Sequence, residues 1–553
     1  MKKYGSIPYF DFPQRSWPAK RLEKAPAWCS VDLRDGNQAL KNPMSCTQKI
    51  AFFKMLLEIG FKEIEVSFPS ASKTDFDFTR KLINEGHVPE EVTIQVLTQA
   101  RKHLIDKTFE AISGSRRCIV HLYNSTSPAQ REIVFKKTPQ QIIALAVDGV
   151  KMVRDNAAHS SCETILEYSP ESFSQTELSF ASDICNAVIE AWAPDEKQKI
   201  IINLPSTVEV STPNTFADQI EYMSRNIRFS EQVILSVHTH NDRGCAVAAA
   251  ELAQLAGAQR VEGTLFGNGE RTGNADIITL ALNCYAQGID PGLSFQDLSR
   301  IESVYRECTG LPVSPRHPYA GELVFTAYSG SHQDAISKGL TSYEEKGGLW
   351  NVPYLPIDPK DIGRDYESVI RINSQSGKGG AAYILNQYFG LQIPKDIQPE
   401  IGAVIQAATD NKGAEMTHEE VFECISSEFI NVSGPFGIER FSIEPGTLKD
   451  EPQRLVKIKS SVRKYNQTFE IEGCGNGLID ALAQALNFYG TGFRIVSFHE
   501  HSLSEGSEAK AVAYMQIENA GNQRFCGIGI DTDIAFASLK ALISALNRNE
   551  KNR

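Results

Sequence analysis

The spaced pair His238-x-His240 is the sharpest chemical signal in this sequence. It ends the apolar run QVILSVH, and residues i and i+2 of an extended strand point to the same side. Two imidazoles so placed can hold one divalent cation. A carboxylate from another strand would complete a set of two histidines and one acid, with positions left open for substrate. Asp35 is the candidate. It lies in DLRDGNQ, where Gly36 allows a tight turn that aims Arg34 and Asp35 inward. Arg34 is a fixed cation suited to a developing oxyanion. His499-x-His501 repeats the spacing but has no Asp-Gly turn or amide-rich loop beside it, and reads as a solvated strand edge.

The run GNGERTGN occupies 267–274. Its GxGxxxG spacing is one residue too long for a dinucleotide fingerprint. It reads instead as a flexible loop closing over an anionic substrate, with Asn274 aimed at the metal. SGKGG (376–380) lacks the upstream glycine of a phosphate-binding loop, because Ile372 stands there. His332, in SGSHQDAI, taken by itself reads as a structural histidine.

These groups need a scaffold. Between 28 and 265, eight short runs dense in Ile, Val and Leu recur, among them WCSVDL, FKEIEV, RCIVHL and KIIINL. Most are followed by apolar residues at helical spacing, as in TQKIAFFKMLLEIG. Strands alternating with such helices imply parallel βαβ units. Eight units in this length predict a (β/α)8 TIM barrel over 27–305, with a doubly wound open sheet as the alternative that rarely needs eight such repeats. A barrel's site is built at the C-terminal strand ends. Those ends carry Arg34 and Asp35, His121, Glu167 with Glu171 beyond it, Thr207, the histidine pair and the glycine-rich loop. Residues 1–26 read as an arm that packs on something else, such as a partner subunit. Residues 306–430 read as helical linker subdomains. Residues 431–553 read as an α+β module with helices on one sheet face, for binding or regulation.

The chain has 553 residues, 41% apolar and 22% charged, with a net charge of −12. That excludes disorder as the main state. An acidic chain without a basic run is poorly suited to nucleic acid or anionic membranes. No stretch approaches the ~18 apolar residues of a membrane helix, and the N-terminus lacks the apolar core of a secretory signal. Eleven cysteines without a CxxC motif read as reduced thiols of a cytoplasmic protein.

DLRDGNQ, NLPSTVE, HTHND and GNGERTGN together resemble the α-isopropylmalate synthases, within a wider group that condenses acyl-CoA with 2-oxo acids. FTAYSGSHQDAI, VPYLPIDPKDIGR and NSQSGKGG resemble the longer bacterial and fungal form. The C-terminal module resembles that family's leucine-sensing domain. The resemblance implies condensation of acetyl-CoA with 3-methyl-2-oxobutanoate (2-ketoisovalerate), thioester hydrolysis, and feedback by leucine. It implies Asp35, His238 and His240 as metal ligands, with Asn274 as a further ligand or near neighbour. Arg34 would lie by the 2-oxo carbonyl, Thr207 on the substrate carboxylate, and His121, Gly267 and Gly269 around the substrate. Glu171 would sit near the reacting groups. His332, and Tyr366 with it, would arrive from the partner subunit of a homodimer. The metal would be Mg2+ or Mn2+ by resemblance, while two imidazoles also suit Zn2+. A metal-dependent lyase on the same barrel, a homocitrate-type synthase and a non-catalytic metabolite sensor are the competing readings.

Overall fold

Each of the eight apolar runs becomes one parallel strand of a closed barrel. The computed structural model describes residues 3, 10–195, 198–327, 329–364, 378–414, 416–445, 455–503 and 509–552. Two compact units divide the chain: 1–324 with 359–364, and 325–358 with 365–553.

In the first unit the strands are β1 (Ala27–Ser30), β2 (Glu63–Ser67), β3 (Thr93–Gln99), β4 (Arg117–Ser125), β5 (Glu163–Glu171), β6 (Ile200–Ser206), β7 (Val233–Thr239) and β8 (Arg260–Gly263). Strand β1 pairs with both β2 and β8, which closes the barrel. The outer helices are α1 (Cys46–Ile59), α2 (Lys73–Asn84), α3 (Lys102–Ile112), α4 (Pro139–His159), α5 (Leu178–Trp192), α6 (Pro213–Asn226), α7 (Ala246–Leu255) and α8 (Ile277–Ala286), with α9 (Leu298–Thr309) following. Local chemistry sets their ends. Capping boxes of Ser45 with Gln48 and Thr138 with Gln141 start α1 and α4. Gly60, at φ 111°, stops α1 in a left-handed conformation.

Two strands end before their apolar runs do. Strand β1 ends at Ser30, and the chain then winds Asp32–Gly36 into a π-helical turn. Asp32 ties that turn down: its carboxylate accepts from the Leu265 N–H at 3.1 Å and from Ser30 Oγ at 2.8 Å. Strand β8 stops at Gly263. In its described part the N-terminal arm packs on α6 of the same chain. Trp17 Nε1 donates to Asp218 of α6 at 2.7 Å, and Glu221 of α6 accepts the Ser16 N–H at 2.9 Å.

The barrel interior is polar where a purely apolar core would be the default. Glu65, Gln95, His121, Glu167, Asn203, His238 and Glu262, one from each of β2–β8, are all buried. Arg260 enters from β8 with no exposed surface. Its guanidinium reaches Glu63 at 2.5 Å, Glu262 at 3.0 Å, Ser236 Oγ at 2.9 Å and Gln95 Oε1 at 2.7 Å.

The second unit holds α10 (Gly330–Lys346), α11 (Lys378–Phe389), α12 (Gln398–Lys412) and α13 (His418–Phe429). They precede β9 (Phe436–Pro445), β10 (Val456–Lys464), β11 (Gln467–Gly475), α14 (Leu478–Phe488), β12 (Phe493–Ser502), β13 (Ala511–Asn519), β14 (Arg524–Asp531) and α15 (Ile534–Lys551). The expected single sheet is two antiparallel three-stranded sheets, ordered β11-β10-β9 and β12-β13-β14. Alternation decides which face meets what. Ala513, Met515 and Ile517 of β13 share a core with α14 and α15. Val512 and Tyr514 turn the other way, onto α11, α12 and α13. Helices therefore cover both faces of that sheet, not one.

Gly149 shows how tightly the barrel's outer layer closes. A Cβ there would lie 2.8 Å from the Ala100 Cβ and 3.2 Å from Leu122 Cδ2. Overpacking of this kind costs about 1–3 kcal/mol. Gly149→Val should lower the first melting transition by several degrees, read by calorimetry against the unaltered chain.

Candidate active site

The π-helical turn after β1 swings Arg34 and Asp35 into a cavity of about 850 Å³ at the C-terminal strand ends. Gly36 serves that turn without a left-handed backbone. It permits close approach instead, since a Cβ would sit 3.0 Å from Asn268 Nδ2. Asn268 uses the space to donate to the Gly36 carbonyl at 3.1 Å.

Asp35, His238 and His240 are brought together, with one ligand atom from each lying within 4.8 Å of the others. His238 Nε2 is 4.0 Å from Asp35 Oδ2, and the two imidazole centroids are 5.2 Å apart. Asn274 joins them, donating from Nδ2 to Asp35 Oδ2 at 2.7 Å. Its Oδ1 and the Nδ1 of His240 are buried and lack any hydrogen-bond partner. Orphaned acceptors in a buried site call for an explanation. A divalent cation supplies one, because carboxylate, imidazole and amide oxygen are ligands such ions accept. The electrostatics agree. Burial pushes Asp35 up, but Arg34 beside it, with His238 and His240, holds it down at about 2. Burial and the neighbouring His238 push His240 down to about 4, leaving a neutral imidazole at pH 7. Burial also works to lower His238, yet its hydrogen bond to Glu262 and the charge of Asp35 hold it above the ordinary value.

Arg34 is clamped rather than free. Its Nε donates to Glu65 at 2.5 Å and its Nη1 to Asp35 at 2.6 Å. Thr207 Oγ1 accepts the Ser172 N–H at 2.8 Å, which leaves its own hydrogen to donate into the cavity. Glu171 also lines the cavity and is anchored by the Ser125 hydroxyl. His121 spans the floor from Glu65 at 2.9 Å on Nδ1 to Ser169 Oγ at 2.7 Å on Nε2. Glu167 lies beneath it, fully buried.

The loop 267–274 is folded back on itself. A Cβ on Gly269 would meet Asn274 Nδ2 at 2.4 Å, and Gly267 takes φ 71°. Both glycines thus shape the backbone that aims Asn274. Glu270 accepts from Gln38 at 2.9 Å on one side of the mouth. Arg271 donates to Asp242 at 2.7 Å and to the Thr207 carbonyl at 2.5 Å on the other.

His332 belongs to the second unit, on α10, where its ring stacks on Tyr354 at 4.0 Å. Tyr366 and the first two residues of SGKGG lie outside the described residues, and the remaining three open α11. His501 is not simply solvated: its Nε2 accepts the Gln392 N–H at 3.3 Å and lies 3.1 Å from the Tyr514 hydroxyl. Residues missed from the sequence are Glu65, Gln95, Asn203 and Glu262, which hold the ligands and Arg34 from below. The available signal was a polar side chain at an alternate position inside each apolar run.

Residues 25–304 match the HMGL-like family model. Residues 322–386 match "Alpha-isopropylmalate synthase, post-catalytic domain-like", and 415–550 the "LeuA allosteric (dimerisation) domain". A 2-isopropylmalate synthase of Clostridium acetobutylicum is 52% identical over 553 residues, covering 99% of both chains. One from Acetoanaerobium sticklandii is 50% identical over 549 residues, 99% of this chain and 96% of that one. One from Pseudomonas entomophila is 50% identical over 549 residues, 99% of this chain and 97% of that one.

A cation bound by His238 must displace its proton, and that proton is held above the usual imidazole value. Mn2+ affinity should therefore rise with pH, by about tenfold per unit while His238 remains protonated, and level off above its pKa. Mn2+ titrations from pH 6 to 9 on the full chain check this. A flat profile would remove His238 from the ligand set.

Proposed function

The chain belongs to the α-isopropylmalate synthase family, and from that premise we propose how its barrel cavity carries the reaction. The reaction condenses acetyl-CoA with 3-methyl-2-oxobutanoate and hydrolyses the thioester, giving 2-isopropylmalate and CoA. It is the first committed step of leucine biosynthesis.

The observation that carries the assignment of the site is the convergence of Asp35, His238 and His240 beside the orphaned Asn274 oxygen. We assign these four to the divalent cation, Mg2+ by family likeness, with Mn2+ or Zn2+ compatible with the two imidazoles. When bound there, the cation polarises the 2-oxo group as a Lewis acid. Arg34 faces the same carbonyl and stabilises the charge that develops on its oxygen. Its clamp between Glu65 and Asp35 means that no reorganisation is needed as that charge appears. Thr207 donates its hydroxyl hydrogen to the substrate carboxylate. Leu97 and Pro205 supply apolar lining for the isopropyl group, with His121 beside them. Such a pocket discriminates one methylene by only about 1–3 kcal/mol, so neighbouring 2-oxo acids should react more slowly rather than not at all.

Glu171, anchored by Ser125, is our choice for the base that takes a proton from the acetyl methyl group. The carbanion formed attacks the keto carbon, and water then cleaves the thioester, which makes the sequence irreversible. His332 and Tyr366 would come from a second copy. The chain carries a dimerisation domain, and a homodimer is the assembly we propose.

Leucine is the effector we propose for the second unit. A cavity of about 640 Å³ lies there between the starts of α14 and α15 and strand β12. Leu478, Ile495, Phe498 and Ile534 make it apolar, while Asp480 and Ser538 provide polar groups. Eleven free thiols support a cytoplasmic setting, and no helix among the described residues is long and apolar enough to cross a membrane.

CoA release should be fastest with 3-methyl-2-oxobutanoate in a panel of 2-oxo acids, stop with EDTA, and fall with leucine. Preference for 2-oxoglutarate would move the chain to a sibling activity. Glu171→Gln should lower kcat by about 10²–10⁴-fold, and a smaller loss would transfer the base to another residue. Ile534→Arg should raise the leucine concentration for half-inhibition at least tenfold. Unchanged inhibition would place the effector elsewhere.

A further inference from the structure

We propose that Glu262 is a positioning residue of the cation site. Its carboxylate locks the His238 imidazole with the proton on Nδ1 and the Nε2 lone pair turned to Asp35. The inference rests on the cation site proposed above.

The geometry begins with Arg260, which can only donate. Its Nη2 lies 2.7 Å from Gln95 Oε1, and this fixes the orientation of the Gln95 amide. The Gln95 NH2 must then face the carboxylates, and it donates to Glu262 Oε1 at 2.9 Å. Arg260 Nη1 donates to the same oxygen at 3.0 Å. The other oxygen, Oε2, accepts from Asn203 Nδ2 at 3.0 Å and lies 2.9 Å from His238 Nδ1. Three of the four partners are donors from β3, β6 and β8. The Arg260 guanidinium bonded to this carboxylate keeps it ionised, and an ionised carboxylate only accepts, with one acceptor site left on Oε2 facing His238. His238 Nδ1 is therefore the fourth donor.

A neutral imidazole carries one proton, so Nε2 is left bare. At 4.0 Å from Asp35 Oδ2 it makes no hydrogen bond there. A histidine whose second nitrogen is held by a carboxylate presents a fixed tautomer and ring orientation to a metal. His240 differs in that its buried Nδ1 has no hydrogen-bond partner and is the nitrogen left for the cation. Glu262 preorganises His238.

A purely structural account would have Glu262 only neutralise Arg260. Glu262→Gln removes both the charge facing Arg260 and one of the two acceptor oxygens, so the melting change reads the first role and Mn2+ affinity the second. On the full-length protein, free Mn2+ would be followed by electron paramagnetic resonance during titration, with melting of the metal-free protein in parallel. The expected result is Mn2+ affinity weakened about 10–100-fold. Binding within twofold of the unaltered protein, whatever the melting change, would leave Glu262 a structural residue and overturn the proposal. The unaltered protein provides a second measurement that does not depend on the variant folding. Histidine 15N spectra of the metal-free chain, in mildly alkaline solution and with the His238 signal assigned through His238→Gln, should show the proton on Nδ1. A proton on Nε2 would also overturn the proposal. If the unaltered protein bound no Mn2+, the cation site itself would fall, a result distinct from either of these.

Discussion

Burying charge inside the barrel is the constraint on which the rest of this structure depends. Arg260, with Glu65, Glu167 and Glu262, is shielded from solvent inside the eight-stranded barrel, and Arg34 stands nearly buried above them. Desolvating such groups costs several kcal/mol each unless they are paired and hydrogen-bonded. Arg260 meets that demand by touching four strands at once, and Glu262 by accepting from four donors. Glu167 is the exception. Its nearest basic side chains are His121 at 3.5 Å and Arg260 at 3.4 Å, and it abuts the Glu262 carboxylate. Burial, reinforced by Glu262 and Glu65, pushes it well above the usual carboxylate range despite Arg260. The interior thus carries one acid that holds its proton more readily than the others.

This layer does what a hydrocarbon core could not. A Leu at position 262 would pack, but it would let the His238 ring turn. A Leu at 65 would release Arg34. The cavity groups stand on a polar floor whose members fix one another, so the site is held before any substrate arrives. The floor is rigid because each member comes from a different strand, and strand spacing in a closed barrel is set by the backbone ladder. The mouth is held differently. Loop 267–274 is fastened to its surroundings by Gln38 and Asp242, partly exposed contacts that can open at small cost.

The second unit applies alternation to another end. Strand β13 buries residues on both faces, one set toward α14 and α15 and the other toward α11–α13. Strand β13 is thus the wall shared by the two helix layers. Arg548 of α15 spans the same two layers: it pairs with Glu400 of α12 and donates to the Cys526 carbonyl of β14 at 2.7 Å.

Much of this was legible in the order of residues. Apolar runs of strand length alternating with helical spacing specify a parallel barrel, because only crossover helices can join parallel neighbours. The placement of Asp35, Thr207, His238 and His240 follows from that topology, which puts strand C-termini at one mouth. Other features needed three dimensions. WCSVDL reads as one strand, yet the chain leaves it at Ser30, because Asp32 is drawn to the Leu265 N–H, 233 positions away. Glu65, Gln95, Asn203 and Glu262 look like ordinary interruptions of apolar runs. Their meaning lies in distances across the barrel, which strand register and closure decide. The two sheets of the second unit are likewise invisible to periodicity, since alternation states which residues share a face but not what that face will meet. The sequence determined the elements, their order and the chemical types at the mouth; only the closed barrel decided which buried charges touch, because contacts between residues far apart in the chain exist only once the sheet has closed.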